Sequence, residues 1–479
     1  MNRRMVVYII GVIVLAEAGL MLLPVLVALL YGEEKQLFAY LVSAVGLAAA
    51  GVLLRLFKPK IKAIYSKDGF IAVALGWIVL SLGGSLPFII GGDIPSFIDA
   101  FFETVSGFTT TGASILSDVE ALSHASLFWR SFTHWVGGMG FLVFVMAALP
   151  LAGSANIHLM RAEIPGPDVS KLVPTSRGTS MRLYGIYLAM TLAEIILLLI
   201  AGNGLFDAAT ISFGTAGTGG FAVKNTSLAG YNSATQIIVT VFMAAFGINF
   251  SCYYLLLSRK IKDFFNNEEL RVYICVLICA GALVALNIYS SCAGLFDTLK
   301  TSYFQVVSVM TTTGFTTTDF NAWNETARMV MIVIMCFGAC TGSTGGGIKI
   351  ARIIILAKDA VRRVRRALTP GRVECVRMNG RPVSEPVIDE AHSFFIIYMI
   401  VFVISVLLVS FDTADTVSNV SGVVATMNNI GPGLGVVGAA GNYGSYSVFS
   451  KVVFIFDMLA GRLEFIPLIA LLSRRAWRN

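Results

Sequence analysis

Four short loops, far apart in the chain, carry the residue types that could do chemistry on an ion. They read Phe108-Thr109-Thr110-Thr111-Gly112-Ala113-Ser114, Thr215-Ala216-Gly217-Thr218-Gly219-Gly220-Phe221, Met310-Thr311-Thr312-Thr313-Gly314-Phe315-Thr316 and Met427-Asn428-Asn429-Ile430-Gly431-Pro432-Gly433. Each places a glycine at the same point: Gly112, Gly220, Gly314 and Gly431. A cation that sheds its water needs backbone carbonyl oxygens in exchange. A carbonyl can turn inward only where the chain takes φ and ψ values that glycine tolerates and a β-carbon penalises. The candidate ligands are therefore Thr110, Thr111 and Gly112; Thr218, Gly219 and Gly220; Thr312, Thr313 and Gly314; and Asn429, Ile430 and Gly431. Threonine hydroxyls supply ties to the surroundings. One such loop is an ordinary tight turn. Four at matching places describe the filter of a pore.

A second stretch reads Gly338-Ala339-Cys340-Thr341-Gly342-Ser343-Thr344-Gly345-Gly346-Gly347-Ile348-Lys349. Each glycine costs a helix about 1 kcal/mol, so the segment should break. Broken backbone at membrane depth survives where it is buried in protein or lines a wet cavity. The Gly342 to Gly347 spacing superficially matches a phosphate-binding loop. Ile348 follows, however, and no Ser or Thr follows Lys349, so that reading fails. The loop of Gly342, Ser343, Thr344, Gly345, Gly346 and Gly347, with Lys349, either serves the pore from beneath the filter or is a plain flexible kink. Arg462, inside the last apolar stretch, is the other intramembrane charge that calls for a role. It is expected either to touch this loop and raise a positive barrier, or to pair with nearby Asp457 or Glu464. Glu194 reads as a structural hydrogen-bonding group. His124, His134, His158 and His392 form no cluster.

Loops of this kind need a membrane to hold them, and the composition provides for one. Of 479 residues, 56% are apolar and 13% charged, against ~25% charged in soluble domains. Mean hydropathy is +0.79. Disordered, collagenous and disulfide-scaffold classes are excluded. The seven cysteines have no zinc-ligand spacing to histidine, and those at 275, 279, 336 and 340 read as small hydrophobes. A spanning helix needs ~20 apolar residues. Ten stretches qualify, near 6–30, 38–56, 69–91, 126–150, 183–202, 234–257, 271–290, 327–358, 392–411 and 448–473. The first is too long for a signal peptide and has no cleavage site. Four shorter segments, near 96–109, 205–217, 297–312 and 414–428, end in the four loops and read as re-entrant helices.

After two leading spans the pattern span, short helix, loop, span occurs four times. The fold class is an all-α polytopic membrane protein with four pseudo-symmetric membrane–pore–membrane repeats around a central pore. The divisions are 1–67 for the leading pair, then 68–160, 181–262, 271–368 and 391–479 for the repeats. With both termini inside, 28 of the 35 Lys and Arg fall inside and six outside, Arg462 being in a span. That bias fits the positive-inside rule and puts all four loops outside. It also gives the net charge of +7 a source other than nucleic-acid binding.

These loops and repeats resemble the Trk/Ktr/HKT superfamily of cation transporters along nearly the whole chain, and within it the bacterial TrkH branch. The two leading spans, Arg161-Ala162-Glu163-Ile164-Pro165-Gly166-Pro167 with Lys171-Leu172-Val173-Pro174, Asn249-Phe250 and Glu268-Glu269-Leu270-Arg271 carry that likeness. The Ktr branch usually lacks the leading spans. The resemblance implies potassium as the transported ion, with no cofactor bound by this chain. It implies a filter at the four glycines, and Gly112 in place of Ser favours potassium over sodium. It assigns gating to the glycine-rich loop and places Arg462 beneath the filter. It further implies a bacterial inner-membrane location, a homodimer, and a cytosolic TrkA-like nucleotide-binding regulatory ring. The fourth loop departs from the Thr-rich pattern, so the pore is only pseudo-fourfold.

The basic stretch Lys358-Asp359-Ala360-Val361-Arg362-Arg363-Val364-Arg365-Arg366 suits anionic lipid headgroups, docking of that regulator, or both. Two other function classes compete with a conducting pore. A proton- or sodium-coupled carrier would place ionisable groups on broken mid-membrane helices. The filter loops hold no carboxylate, which favours the pore. An intramembrane enzyme would need a nucleophile–base pair or metal ligands, and the isolated His and Cys residues supply neither.

Overall fold

The structure is a computed structural model that describes residues 2–59, 66–140, 176–369, 374–412 and 414–477. Helices α1 (Arg3–Leu20) and α2 (Leu22–Tyr31) run on as one apolar segment, and α3 (Glu34–Arg55) returns beside them. The repeats follow. The first comprises α4 (Ser66–Gly91), the pore helix α5 (Phe97–Phe108) and α6 (His124–Gly138). The second comprises α7 (Ser176–Ile200), the pore helix α8 (Leu205–Gly217), α9 (Ser233–Phe246) and α10 (Phe250–Leu257). The third comprises α11 (Glu268–Ile288), the pore helix α12 (Leu295–Met310), α13 (Glu325–Met335) and α14 (Ile350–Leu368). The fourth comprises α15 (Glu385–Val409), the pore helix α16 (Thr416–Met427), α17 (Val448–Leu463) and α18 (Ile466–Leu472).

Among the described residues, six helices are continuous, long and apolar enough to cross a membrane: Arg3–Tyr31, Glu34–Arg55, Lys67–Gly91, Met181–Ile200, Glu268–Ser291 and Glu385–Val409. Their outer faces expose Leu30, Ile200 and Leu286, as a lipid-facing surface does. The other four expected spans are the second helices of the repeats. Only the eighth was expected to break, and it does, between Met335 and Ile350. The sixth also breaks: α9 and α10 meet at 92°. The tenth breaks after Leu463, and the fourth expected span has its described helix end at Gly138. The sixth breaks where Gly247 and Ile248 interrupt the helix, and the Asn249 side chain restarts it by accepting from Ser251 N–H at 2.8 Å. At the tenth no glycine is involved. Glu464 and Phe465 take φ of 55° and 66°, a conformation that costs a residue with a β-carbon.

All four second helices begin at a side-chain cap. Ser123, Asn232, Asn324 and Ser447 accept from the N–H of Ser126, Thr235, Ala327 and Ser450 at 3.3, 2.8, 2.9 and 3.3 Å. The cap fixes where each chain re-enters the bundle after its loop. Beyond α14 lies a small hairpin, β1 (Arg377–Met378) against β2 (Arg381–Pro382), antiparallel with Met378 opposite Arg381. Its Asn379-Gly380 turn has φ of 50° and 77°, the geometry of a two-residue hairpin turn.

Candidate functional site

Each pore helix ends at its loop, and each loop then repeats one backbone pattern. Thr110, Thr218, Thr312 and Asn429 have φ of 56°, 54°, 58° and 54°. Two residues on, Gly112, Gly220, Gly314 and Gly431 have φ of 76°, 74°, 83° and 94°. The loops also close on one another. A β-carbon on Gly112 would overlap the carbonyl oxygen of Gly219, one on Gly220 that of Thr313, and one on Gly314 that of Ile430. On Gly431 it would come within 2.6 Å of the carbonyl oxygen of Thr111. Each glycine therefore backs onto the residue just before the glycine of the next repeat, and the fourth returns to the first. The three-residue sets singled out in the sequence form one closed ring.

Threonine hydroxyls brace this ring. Thr109 and Thr111 share a hydrogen bond at 2.8 Å, as do Thr311 and Thr313 at 2.8 Å. In the fourth loop an amide takes over: Asn429 Nδ2 donates to Thr111 Oγ1 and to the Met458 carbonyl, each at 2.9 Å. On one side of the ring lies a cavity of about 200 Å³, lined by the four glycines with Ser114, Arg130 and Tyr443. A cavity of about 60 Å³ is lined by Gly342, Ser343, Gly345–Gly347, Lys349, Arg462 and Trp77.

The glycine-rich loop is pressed against the ring. Gly346 N–H donates to Thr312 Oγ1 at 2.7 Å, and Thr344 Oγ1 donates to the Phe246 carbonyl at 3.3 Å. A β-carbon on Gly346 would lie 2.7 Å from the Asn428 carbonyl oxygen. The base of the loop is tied like a hairpin. Gly338 N–H bonds the Ile348 carbonyl at 2.8 Å, and Ile350 N–H bonds the Ala339 carbonyl at 3.3 Å. Lys349, 7% exposed, gives its ammonium to the Gly345 and Gly346 carbonyls.

Arg462 joins three repeats. Its guanidinium donates to the Thr344 carbonyl at 3.0 Å, to the Gly138 carbonyl at 2.8 Å, to Thr110 Oγ1 at 3.4 Å and to the Gly137 carbonyl. The expected contact with the loop is present. Glu464 pairs with Arg352, and Asp457 accepts from Ser405 Oγ at 2.7 Å.

Several residues at the site escaped sequence reasoning. Glu103 and Arg130 form a buried ion pair at 2.7 Å. Glu103 also accepts from Ser114 Oγ at 2.9 Å and Ile115 N–H at 3.0 Å, so the pair holds the first loop's exit. Arg130 reaches the Ala222 carbonyl at 3.3 Å and lies 4.1 Å from the Phe221 ring, holding the second loop's exit as well. His134 takes the Phe221 N–H on Nε2 at 3.2 Å, so its Nδ1–H donates to the Gly107 carbonyl at 2.7 Å. Glu269 Oε1 accepts from Thr341 N–H at 2.6 Å and Ala351 N–H at 3.2 Å, pinning both ends of the glycine-rich loop. Glu269 belongs to the Glu268-Glu269-Leu270-Arg271 stretch, but nothing local in the sequence gives it this role. Residues 161–174 and His158 lie outside the described residues. Among the described residues no group of His, Cys, Asp and Glu could hold a metal ion.

Fold and ring together define a multi-pass membrane transport protein built on four membrane–pore–membrane units. The family model for TrkH, described as cation transport protein, matches residues 38–287 and 295–476. The chain belongs to the TrkH family. It is 37% identical over 489 residues to the Trk system potassium uptake protein TrkH of Salmonella typhimurium, covering 100% of each. It is 32% identical over 484 residues to the Trk system potassium uptake protein TrkG of Escherichia coli, covering 99% of each. The crystal structure of the potassium transporter TrkH from Vibrio parahaemolyticus superposes with a TM-score of 0.90 at 32% identity, covering 100% of both chains.

Proposed function

We propose that this chain conducts potassium into a bacterial cell across the inner membrane, with both termini in the cytosol. The observation that carries the reading is the closed ring in which each loop glycine backs onto the neighbouring repeat's carbonyl. In this reading the ion enters the wider cavity and exchanges water for carbonyl oxygens of Thr110–Gly112, Thr218–Gly220, Thr312–Gly314 and Asn429–Gly431. The C-terminal ends of the four pore helices favour a cation there. It then meets the loop from Gly342 to Gly347, with Lys349 and Arg462 supplying two positive charges in its path. Passage requires that loop to move off the ring.

The relatives' names, potassium uptake proteins of a Trk system, support potassium as the substrate and a partner subunit as the regulator. A TrkA-like nucleotide-binding ring on the cytosolic face would bias the loop through α14, which runs from the loop to the basic stretch. A homodimer is part of the same proposal.

The test is flux into liposomes holding the full chain, with potassium or sodium as the only permeant ion and no other gradient. Potassium flux down its own gradient, well above sodium flux, is the expected result. Flux that starts only when a proton or sodium gradient is imposed would replace the passive pore with a coupled symporter. If both ions are silent until a nucleotide-binding partner is added, the gate is closed by default.

A further inference from the structure

Asn249-Phe250 and Glu268-Glu269-Leu270-Arg271 stand outside the ring, and both meet the glycine-rich loop. The break between α9 and α10 frees backbone groups from helical partners, as every helix end does. At membrane depth such groups need partners from the protein. The loop supplies them. Cys340 N–H donates to the Gly247 carbonyl at 3.0 Å, and Thr344 Oγ1 donates to the Phe246 carbonyl at 3.3 Å. In return Phe250 N–H, the first of α10, donates to the Gly342 carbonyl at 3.0 Å. The two backbones lie close: a β-carbon on Gly342 would stand 3.2 Å from Asn249 Oδ1, and one on Gly247 would overlap the Tyr273 hydroxyl. Tyr273, on α11, donates to the Ala244 carbonyl in the last turn of α9 at 2.9 Å. One turn before it, Glu269 Oε1 takes the Thr341 and Ala351 N–H groups at 2.6 and 3.2 Å. Residues four apart share a helix face, so one face of α11 grips the end of α9 and the loop together.

We propose that the break in the sixth span is the seat of the glycine-rich loop. The two interrupted spans complete each other's backbone, and Asn249 and Glu269 are positioning residues that keep the loop seated. Asn249 acts by fixing where α10 restarts, and so where Phe250 N–H points. Glu269 acts by pinning both ends of the loop. A loop that leaves the ring must part from this seat or carry α10 with it, so weakening the seat frees the loop. The joint stands on the hydrogen bonds themselves. Its effect on flux rests on reading the loop as the gate.

The experiment uses the full chain in lipid vesicles, with Asn249→Ala, Asn249→Ser and Glu269→Ala, each checked for a wild-type melting temperature. Asn249→Ala loses the acceptor that restarts α10, and serine keeps one. Glu269→Gln, which keeps an oxygen for the two N–H groups but drops the charge, is read instead if alanine lowers melting. The first readout is backbone hydrogen exchange over residues 246–252 and 338–347. Each alanine variant should speed exchange about tenfold in both segments, the factor that 1.4 kcal/mol carries, while Asn249→Ser stays at the wild-type rate. Faster exchange confined to 246–252 in Asn249→Ala and to 338–347 in Glu269→Ala would overturn the proposal. The second readout is resting potassium flux, expected to rise about tenfold in both alanine variants at an unchanged potassium-to-sodium ratio. Coupled exchange with wild-type flux would leave the joint standing and sink the reading of the loop as the gate.

Discussion

Arg352 and Glu464 form a buried ion pair, with side chains 5% and 8% exposed, between the helix that leaves the glycine-rich loop and the break in the last span. Glu464 is the first of the two left-handed residues there, at φ 55°. Arg352 also lies 4.1 Å from the Phe394 ring, and Phe394 packs 5.6 Å from Phe465, the second. The strained turn is therefore held by α14 and α15 together. Removing one member of a buried pair typically costs ~3–5 kcal/mol, because the other charge is left without compensation. Arg352→Gln and Glu464→Gln should each lower the melting temperature and raise resting flux. The exchange Arg352→Glu with Glu464→Arg should recover part of both. Single variants with wild-type melting and flux would show that the pair holds nothing.

Gly314 sits at φ 83°, and a β-carbon there would overlap the Ile430 carbonyl oxygen and lie 2.9 Å from Pro432 Cδ. Gly314→Ser should displace the fourth loop as well as its own. The left-handed conformation alone costs a residue with a β-carbon about 1–2 kcal/mol, and 1.4 kcal/mol is a factor of ten. A loss of about tenfold in potassium-over-sodium preference is expected, read as relative flux into liposomes. An unaltered preference would remove Gly314 from the filter.

How much of this was legible without coordinates depended on distance along the chain. The sequence places the pore helices at 96–109, 205–217, 297–312 and 414–428, and they stand at Phe97–Phe108, Leu205–Gly217, Leu295–Met310 and Thr416–Met427. Their limits are local, set by turn residues and apolar length. The cluster of glycines after Gly338 announced one break in the same way. Gly247 alone did not announce the second, and Glu464 and Phe465 could not, since no local signal marks a left-handed glutamate. The caps at Ser123, Asn232, Asn324 and Ser447 form a fourfold signal that the sequence itself carries. The pairs that hold the site were out of reach: Glu103 with Arg130 is 27 residues apart, and Arg352 with Glu464 is 112. Only folding brings them together.

Arg462 reaches Thr344 in the loop, Gly138 in the first repeat and Thr110 in the ring. In the proposed pathway it is both a charge facing the ion and a tie on the loop. Arg462→Ala removes both and should raise resting cation flux. Arg462→Lys keeps the charge but loses the planar fork that serves several carbonyls at once. If charge alone bars passage, the lysine variant stays as quiet as wild type; if the tie matters, it leaks. The geometry favours a leak in both variants, with alanine the larger. Unchanged flux in Arg462→Ala would take this residue out of the gate.

Asp359 lies beyond the apolar part of α14 and gathers three donors: Arg362 Nε at 2.8 Å, Arg363 Nε at 2.7 Å and His392 Nε2 at 2.8 Å. Burial pushes its carboxyl up, but the hydrogen bonds from Arg363, His392 and Arg362 outweigh that and hold it down to about 2. A carboxyl held below its unfolded value stabilises the fold fully above that value, ~3.9 for aspartate. The contribution disappears as pH falls through the folded value. Asp359→Asn should therefore cost about 1 kcal/mol at neutral pH, a typical size for a partly solvated ion-pair cluster. The gap to wild type, measured by chemical unfolding in detergent, should stay constant from about pH 8 to pH 5, shrink from about pH 4 and close near about pH 2. Because His392 belongs to α15, the cluster ties α14 to α15 at the end remote from the ring. A gap that persists unchanged at the lowest pH would mean that the carboxylate's charge is not what joins those two helices.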